Sequence, residues 1–232
     1  LVKAYGATSS NGLVTTDKRL AWNVAMPGST MGIVSGVARK VDSYVGGVDA
    51  VGSKFGATTT GFYLRKSLCD NFDLAKGDNK SKSWVLMRYS EVLMNLAEAA
   101  NEVYGPTTPI PGLTSGANTA QRIVYAITDR AGVLRTSIPT DQATFHTWIR
   151  EQRRLEFAFE EQRFFDVRRW KIAEVTESTP LLGLKVTNIA GVYTYEEFVV
   201  DNRVFDPKMY RYPIPYNEVA KSGGAILQNE GW

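Results

Sequence analysis

The chain of 232 residues has only one cysteine, Cys69, and one histidine, His146. A single cysteine excludes an internal disulfide, and the two residues together cannot supply the usual zinc ligand sets. We therefore predict no metal site and no cofactor. Without a nucleophile motif such as G-x-S-x-G, His146 is interpreted as a core or boundary residue. Cys69 lacks the preceding apolar segment of a lipoprotein cleavage box, so it is not interpreted as an anchor.

Long apolar runs and a strong net charge are also missing. No apolar run approaches the roughly 20 residues that span a bilayer, and the first residues lack the basic start and apolar stretch of a signal peptide. The 27 basic residues nearly balance the 24 acidic ones, so charge does not indicate a nucleic acid partner. The hydrophobic content of 44% is enough for the core of a globular protein.

Glutamate is absent from residues 1 to 80, which hold 11 of the 20 glycines and many Ser, Thr and Asp residues. Because glycine supports turn geometries that other residues resist, this stretch is typical of loops with short strands. We divide the chain into a loop-rich segment, 1–82, that contributes to a ligand-binding surface, and a helical region, 83–232, with an extended tail. Both parts are interpreted as one continuous domain.

After residue 82, the apolar residues recur with the period of an α-helix. SWVLMRYSEVLMNLAEAANEVYGP predicts a helix that Gly105-Pro106 ends. NTAQRIVYAITDRAG predicts a second helix, capped by Asn118, that ends at Gly132. Small alanines would let the two helices approach closely as an antiparallel hairpin. The buried face of the first helix is expected to hold Val85, Tyr89, Val92, Leu93, Leu96, Ala100 and Val103.

The rest of the chain changes character twice. Thr140 can cap a third helix that carries Phe145, Trp148, Ile149, Leu155 and Phe159 on one side. Alternating residues over 183–205 predict one or two short strands. The proline-punctuated stretch 210–232 is expected to pack as irregular coil.

RRLEFAFEEQRFFDVRRW, residues 153–170, combines five arginines, four acids and five aromatic residues. Glu156 and Glu160 share a helical face, as a pair of glycosidase carboxylates could. Each acid nevertheless has a nearby cation, in the pairs Arg153–Glu156, Glu151–Arg154 and Glu160–Arg163. Paired carboxylates keep low pKa values, whereas a general acid needs a raised one. We interpret the stretch as a structural brace, with its aromatic rings in the core and arginine stems lying across them.

Aromatic residues in the glycine-rich and irregular stretches give the remaining functional signal. Flat rings with a polar end suit sugar faces and peptide side chains. Some of them are expected to line a binding surface, although most are ordinary packing residues. These residues are Tyr5, Trp22, Tyr44, Phe55, Phe62, Tyr63, Tyr193 and Tyr195.

Four blocks of sequence, in this order and spacing, are similar to the carboxy-terminal part of the SusD/RagB family. They are MRYSEVLMNLAEAANEV, AITDRAGV, REQRRLEFAFEEQRFFDVRRW and YPIPYNEVAKSGGAILQNEGW. LVKAYG at the start and TGFYLRK at 60–66 extend the resemblance over essentially the whole chain. Family members often carry glycine where Glu161 stands and Asn-Pro where Ser222-Gly223 stands, and these departures affect local turns.

The resemblance implies a mainly α fold, with TPR-like helical hairpin repeats, long irregular loops and a few short strands. It also implies a surface-exposed lipoprotein of the bacterial outer membrane that captures nutrient without catalysis and caps a SusC-like TonB-dependent transporter. The lipid anchor and an amino-terminal half would lie outside this chain.

Our first hypothesis is capture of an oligosaccharide. Trp22, Tyr44 and Tyr63 are predicted to stack on sugars, with Arg65 and Asn71 as hydrogen-bonding neighbours. A second hypothesis, from the RagB branch, makes an extended peptide the ligand. A third, of a different class, is a helical scaffold that binds only other proteins. A glycoside hydrolase that uses Glu156 or Glu160 is the least favoured.

Overall fold

The computed structural model describes residues 1–6, 15–69, 71–114, 116 and 118–232. The α-helices are α1 (Arg19–Asn23), α2 (Tyr89–Tyr104), α3 (Ala120–Thr128), α4 (Gln142–Glu156), α5 (Gln162–Arg169), α6 (Ala173–Thr176) and α7 (Tyr216–Lys221). The strands are β1 (Val24–Ala25), β2 (Thr30–Val34), β3 (Val37–Lys40), β4 (Tyr63–Leu64), β5 (Leu181–Ile189) and β6 (Val192–Asp201). The fold is mainly α with a few short strands, as the sequence predicts.

The described part of the early segment consists mostly of loops, with the short helix α1 and small antiparallel strand pairs. Strand β1 pairs with β4, and β2 pairs with β3 across a register shift. The prediction of loops with short strands is confirmed for these residues. Residues 7–14 belong to the predicted loop-rich segment but lie outside the described residues.

Helices α2, α3 and α4 enclose the main hydrophobic core. The apolar side of α3 lies in this core, because Ile123, Val124 and Ile127 are all buried. The helix continues as a 3-10 turn, Asp129–Ala131, and ends at Gly132 with a left-handed backbone. Its cap is Thr119 instead of the expected Asn118, since the Thr119 hydroxyl accepts the backbone N–H of Arg122. The cap of α3 is displaced by one residue, and this displacement does not change which side of the helix is buried.

The expected buried face of α2 is largely wrong. Tyr89, Val92 and Val103 are 73%, 49% and 69% exposed, whereas Met94 and Ala97 are completely buried. Helix α2 carries apolar residues on two sides, so its period alone does not choose between them. The side with alanines faces α3 and α4, because short side chains allow closer helix packing.

Helix α4 begins one residue later than expected. The Asp141 carboxylate, and not Thr140, caps it by accepting the backbone N–H of Thr144 at 2.8 Å. Phe145 and Ile149 are completely buried, as predicted, but Phe159 lies beyond the helix end and is 44% exposed. The ring of Phe145 packs on Trp148 with centroids 5.7 Å apart.

The later aromatic residues are also less buried than expected. Phe164 is 36% and Phe165 is 62% exposed, although both were predicted to be core residues. Adjacent residues on a helix point about 100° apart, so α5 cannot bury both against one neighbour. Helix α5 instead buries Val167 in a small cluster with Ala173 and Phe205.

A long hairpin of β5 and β6 joins the carboxy-terminal part to the early loops. It is longer than the short strands expected for 183–205. The Leu184 N–H donates to the Thr60 carbonyl, and Gly61 lies so close that a Cβ there would be 2.1 Å from the Leu184 carbonyl oxygen. Gly61 is therefore required for this contact. The tail is mostly coil, as predicted, except for a short 3-10 turn, Pro207–Tyr210, and α7.

Replacing Phe145 by alanine should lower the free energy of unfolding by about 3–5 kcal/mol, because a completely buried ring leaves a cavity. The matched change Phe165→Ala should cost less than about 1 kcal/mol, since that ring is already largely in solvent. Urea unfolding followed by circular dichroism measures both. Equal losses in the two variants would contradict the core described here.

Candidate ligand-binding groove

Two adjoining cavities lie where the early loops meet the ends of α4 and α5. The first has a volume of about 450 Å³ and the second about 740 Å³. Trp84 and Phe159 line both cavities, so we treat them as one feature and call it the aromatic groove. Volumes in this range are typical of small-molecule sites. The aromatic rings that line it are Trp22, Trp84, Phe157, Phe159, Phe164, Phe165 and Tyr212.

Most of these rings are displayed to solvent. Trp22 is 52% exposed, Trp84 60%, and Tyr212 71%. The ring of Tyr212 stacks on Phe164 at a centroid distance of 6.2 Å and an interplanar angle of 18°. Large exposed rings grouped in one concavity mark a binding surface more often than isolated ones do.

A strained turn between α4 and α5 presents Phe159 to the groove. Phe159 and Glu161 have φ values of 63° and 66°, in the left-handed region that bulky residues rarely adopt. Phe157, two residues before Phe159, is buried beneath the guanidinium groups of Arg88 and Arg153. Glycine would adopt the left-handed backbone at position 161 without this strain.

Glu156 forms the floor of the first cavity. Its carboxylate is buried and is contacted by the guanidinium groups of Arg19, Arg88 and Arg130, at 3.5 and 2.7 Å for the first two. Arg88 also donates to the Glu156 backbone carbonyl at 2.9 Å. A buried carboxylate that is paired with three guanidinium groups serves a structural role. The expected pairing of Arg153 with Glu156 is wrong.

Glu160 is bound by cations from distant parts of the chain. Arg88 donates to both of its oxygens, at 2.7 and 3.0 Å, and the Lys66 ammonium group lies 2.5 Å away. Burial alone would raise the pKa of Glu160, but the hydrogen bonds and charges of Arg88 and Lys66 outweigh that effect and lower it. The expected partner, Arg163, forms no ion pair with Glu160. Sequence neighbours are poor guides here because the turn after α4 redirects the chain.

The interpretation of residues 153–170 as a brace is supported by their other contacts. Arg153 is almost fully buried and donates to both oxygens of Asp166 at 3.1 Å. Arg169 joins Asp166 to Glu98 of α2, at 2.9 and 2.7 Å. Of the three expected pairs, only Glu151–Arg154 forms, at 3.4 Å. The segment therefore clamps α5 to α4 and α2.

The residues predicted from the sequence to bind ligand do not form one group. Trp22 and Arg65 line the first cavity. The Tyr63 hydroxyl donates to the Asp49 carbonyl at 3.0 Å, and the Tyr44 ring lies 6.3 Å from that of Tyr193. Asn71 is exposed, and its carbonyl accepts a hydrogen bond from Lys80 at 2.6 Å. Tyr44, Tyr63 and Asn71 do not line the groove.

Sequence reasoning missed Trp84, Phe165 and Tyr212 as groove residues. Trp84 precedes α2 and follows a polar stretch, which could have marked it as a displayed ring. The adjacent pair Phe164-Phe165 gave a similar signal, since one helix face cannot hold both. The position of Tyr212 beside them depends on the path of the tail and could not be foreseen.

The groove contains no evident metal site. Among the described residues, no group of three or more His, Cys, Asp and Glu side chains could hold a metal ion. His146 lies at the boundary, with its Nε2 atom 3.2 Å from Glu102 Oε1. Within the same residues, no helix is both long and apolar enough to span a membrane.

The change Glu160→Gln should lower the free energy of unfolding near neutral pH, and this difference from the parent should disappear in acid. Folding lowers the pKa of Glu160. The stabilisation by its ionised carboxylate is therefore complete when the pH is above the ordinary pKa of 4.5, and it disappears as the pH falls through the lowered pKa. Urea unfolding at about pH 7 and about pH 3 should show parent and variant converging in acid. The control Glu196→Gln, at an exposed position, should follow the parent. A constant difference between Glu160→Gln and the parent would refute the assignment.

Comparison with known proteins places these features in a family. A model described as the SusD family matches residues 3–232. SusD-like protein P2 of Formosa agariphila is 26% identical over 163 residues, which are 67% of this chain and 27% of that protein. A SusD-like protein of Bacteroides fragilis, solved by crystallography, is 30% identical with a TM-score of 0.75, over 93% of this chain and 39% of its own.

A SusD-like carbohydrate binding protein of the same Bacteroides species shares the fold. Its TM-score is 0.60 at 22% identity, over 94% of this chain and 46% of that one. The chain thus spans less than half the length of each of these relatives. Because the family model extends over almost every residue and a solved relative has the same fold, the chain belongs to the SusD family.

Proposed function

We propose that this protein binds an oligosaccharide in the aromatic groove and does not change it chemically. The observation that carries the proposal is the set of exposed rings that line one concavity, with Trp22, Trp84 and Phe159 at its centre. Sugar rings have apolar faces that stack on aromatic rings, while their hydroxyl groups need polar neighbours. Family membership supports the proposal, as does the carbohydrate binding named for one relative of the same fold.

The state of the carboxylates supports binding without catalysis. Glycoside hydrolysis needs one carboxyl group with a raised pKa beside the scissile bond. Glu156 is held by three arginines, and the pKa of Glu160 is lowered. Both acids therefore serve the frame of the groove.

We further propose that the bound oligosaccharide is delivered to a SusC-like TonB-dependent transporter at the bacterial cell surface. This part rests on the family, whose resemblance implies an outer-membrane lipoprotein. The division at residue 82 belongs to the same proposal. The loop-rich part contributes Trp22 and Arg65 to the groove, and the helical part contributes all the other aromatic rings.

Alanine at Trp84 should weaken polysaccharide binding about tenfold, which corresponds to about 1.4 kcal/mol of lost stacking. Trp22→Ala should act in the same direction. Native gels cast with a panel of soluble polysaccharides, neutral and acidic, measure the retardation of each variant. Phe55→Ala, which removes a fully exposed ring outside the groove, is the matched control.

Three results would count against the proposal. Unchanged retardation of Trp84→Ala and Trp22→Ala on a polysaccharide that retards the parent would remove the groove as the site. Retardation by no member of the panel would contradict oligosaccharide binding. Peptides identified by mass spectrometry on the purified protein would favour the RagB-like alternative.

A further inference from the structure

Arg163 is the exception in an otherwise paired segment. Around it, Arg153 binds Asp166, Arg154 binds Glu151, and Arg169 binds Glu98 and Asp166. Across the described residues, no hydrogen bond, ion pair or ring contact involves the Arg163 guanidinium group. A partly buried arginine is normally paired, because removing its charge from water is costly.

The acids near Arg163 are already engaged. Glu177 is bound by Arg203 at 2.9 Å, Glu151 by Arg154, and Asp166 by two arginines. Burial is the main reason why the pKa of Arg163 is lowered, and the charge of Arg154 adds to it. The protein therefore leaves this cation without an internal counter-ion.

Arg163 stands in the wall of the second cavity, beside exposed rings. Phe159, Phe165 and Tyr212 line the same cavity. The Nε atoms of Arg150 and Arg203 are sealed from solvent without a partner, but the Arg163 nitrogens are not. Arg154 adds a second guanidinium group to the wall and Glu161 a single carboxylate, so the formal charge of the lining favours an anion.

We propose that the oligosaccharide bound in the aromatic groove is acidic and that Arg163 recognises its carboxylate or sulfate groups. A guanidinium group donates two parallel hydrogen bonds to either oxyanion, while the neighbouring rings stack on the sugar. The inference rests on the function proposed above and names the chemical class of its ligand.

Matched pairs of polysaccharides test this inference. Native affinity gels would compare polygalacturonate with its carboxyl-reduced form, and carrageenan with its desulfated form. The parent should be retarded at least tenfold more strongly by one acidic member than by its neutral counterpart. Arg163→Gln should remove that preference, and Arg163→Lys should restore part of it, because lysine keeps the charge but not the paired donors. The polymer that is preferred distinguishes carboxylate from sulfate recognition.

Two controls separate recognition from a structural role. Arg122→Gln changes an exposed arginine outside the groove and should keep the preference for acidic polymers. Thermal unfolding of Arg163→Gln should match the parent, because no internal ion pair is lost, whereas Arg153→Gln should unfold at a lower temperature. If Arg163→Gln also unfolds at a lower temperature, Arg163 has a structural partner and the inference is wrong.

Failure of this inference and failure of the proposed function give different results. Equal retardation by acidic and neutral forms, weakened by Trp84→Ala, would overturn the acidic ligand and leave oligosaccharide binding in place. Retardation by none of the polymers would overturn both. Loss of binding to acidic and neutral forms alike in Arg163→Gln would assign Arg163 to general affinity and refute anion recognition.

Discussion

The buried carboxylate of Glu156 is the interaction on which the arrangement of the molecule depends. Glu156 ends α4 and receives guanidinium groups from three separate places: Arg19 at the start of α1, Arg88 before α2, and Arg130 after α3. Such a charge is tolerable in the interior only when it is fully paired, so these three segments must meet at one point. These ion pairs attach the early segment to the helical core, beside an apolar cluster in which Tyr5, Leu20 and Val24 pack with Leu155 of α4.

The groove is a consequence of this attachment. Arg88 and Lys66 cross from the loops and the start of α2 to Glu160, which fixes the turn that follows α4. Within that turn, Phe157 points into the core and Phe159 points out. The ionic contacts thus place rings from distant parts of the chain around one concavity. The ion pairs hold this surface in shape, and the rings and Arg163 are the groups that we propose to contact the ligand.

Arg163 shows how a brace and a binding surface can share one segment. Glu151, Asp166 and Glu177 are held by other arginines, and the turn at 157–161 carries Glu160 towards Arg88 and Lys66. The turn that fixes the frame of the groove therefore leaves the Arg163 guanidinium group without an ion pair among the described residues. A frame with balanced charge can in this way display a local positive site.

The sequence by itself determined the helical core and the family. The apolar period of α3 and the motif blocks are local patterns, which can be recognised without knowledge of the tertiary structure. It also indicated that residues 153–170 form a brace, since acids and arginines were interleaved there. The caps of α3 and α4 were displaced by a single residue, because neighbouring Asn, Thr and Asp residues compete for the same cap.

Only the tertiary structure decided which side of α2 is buried and which partners the charges choose. Helix α2 is apolar on two sides, and the choice depends on the close approach that Ala97 and Ala100 permit. Glu156 and Glu160 pair with cations 26 to 137 residues away in place of those three residues away, because the fold brings distant segments to the end of α4. Ion pairs between distant residues produce no periodic pattern in a single sequence, so the sequence does not predict them. The groove forms because those ion pairs bring the aromatic rings together.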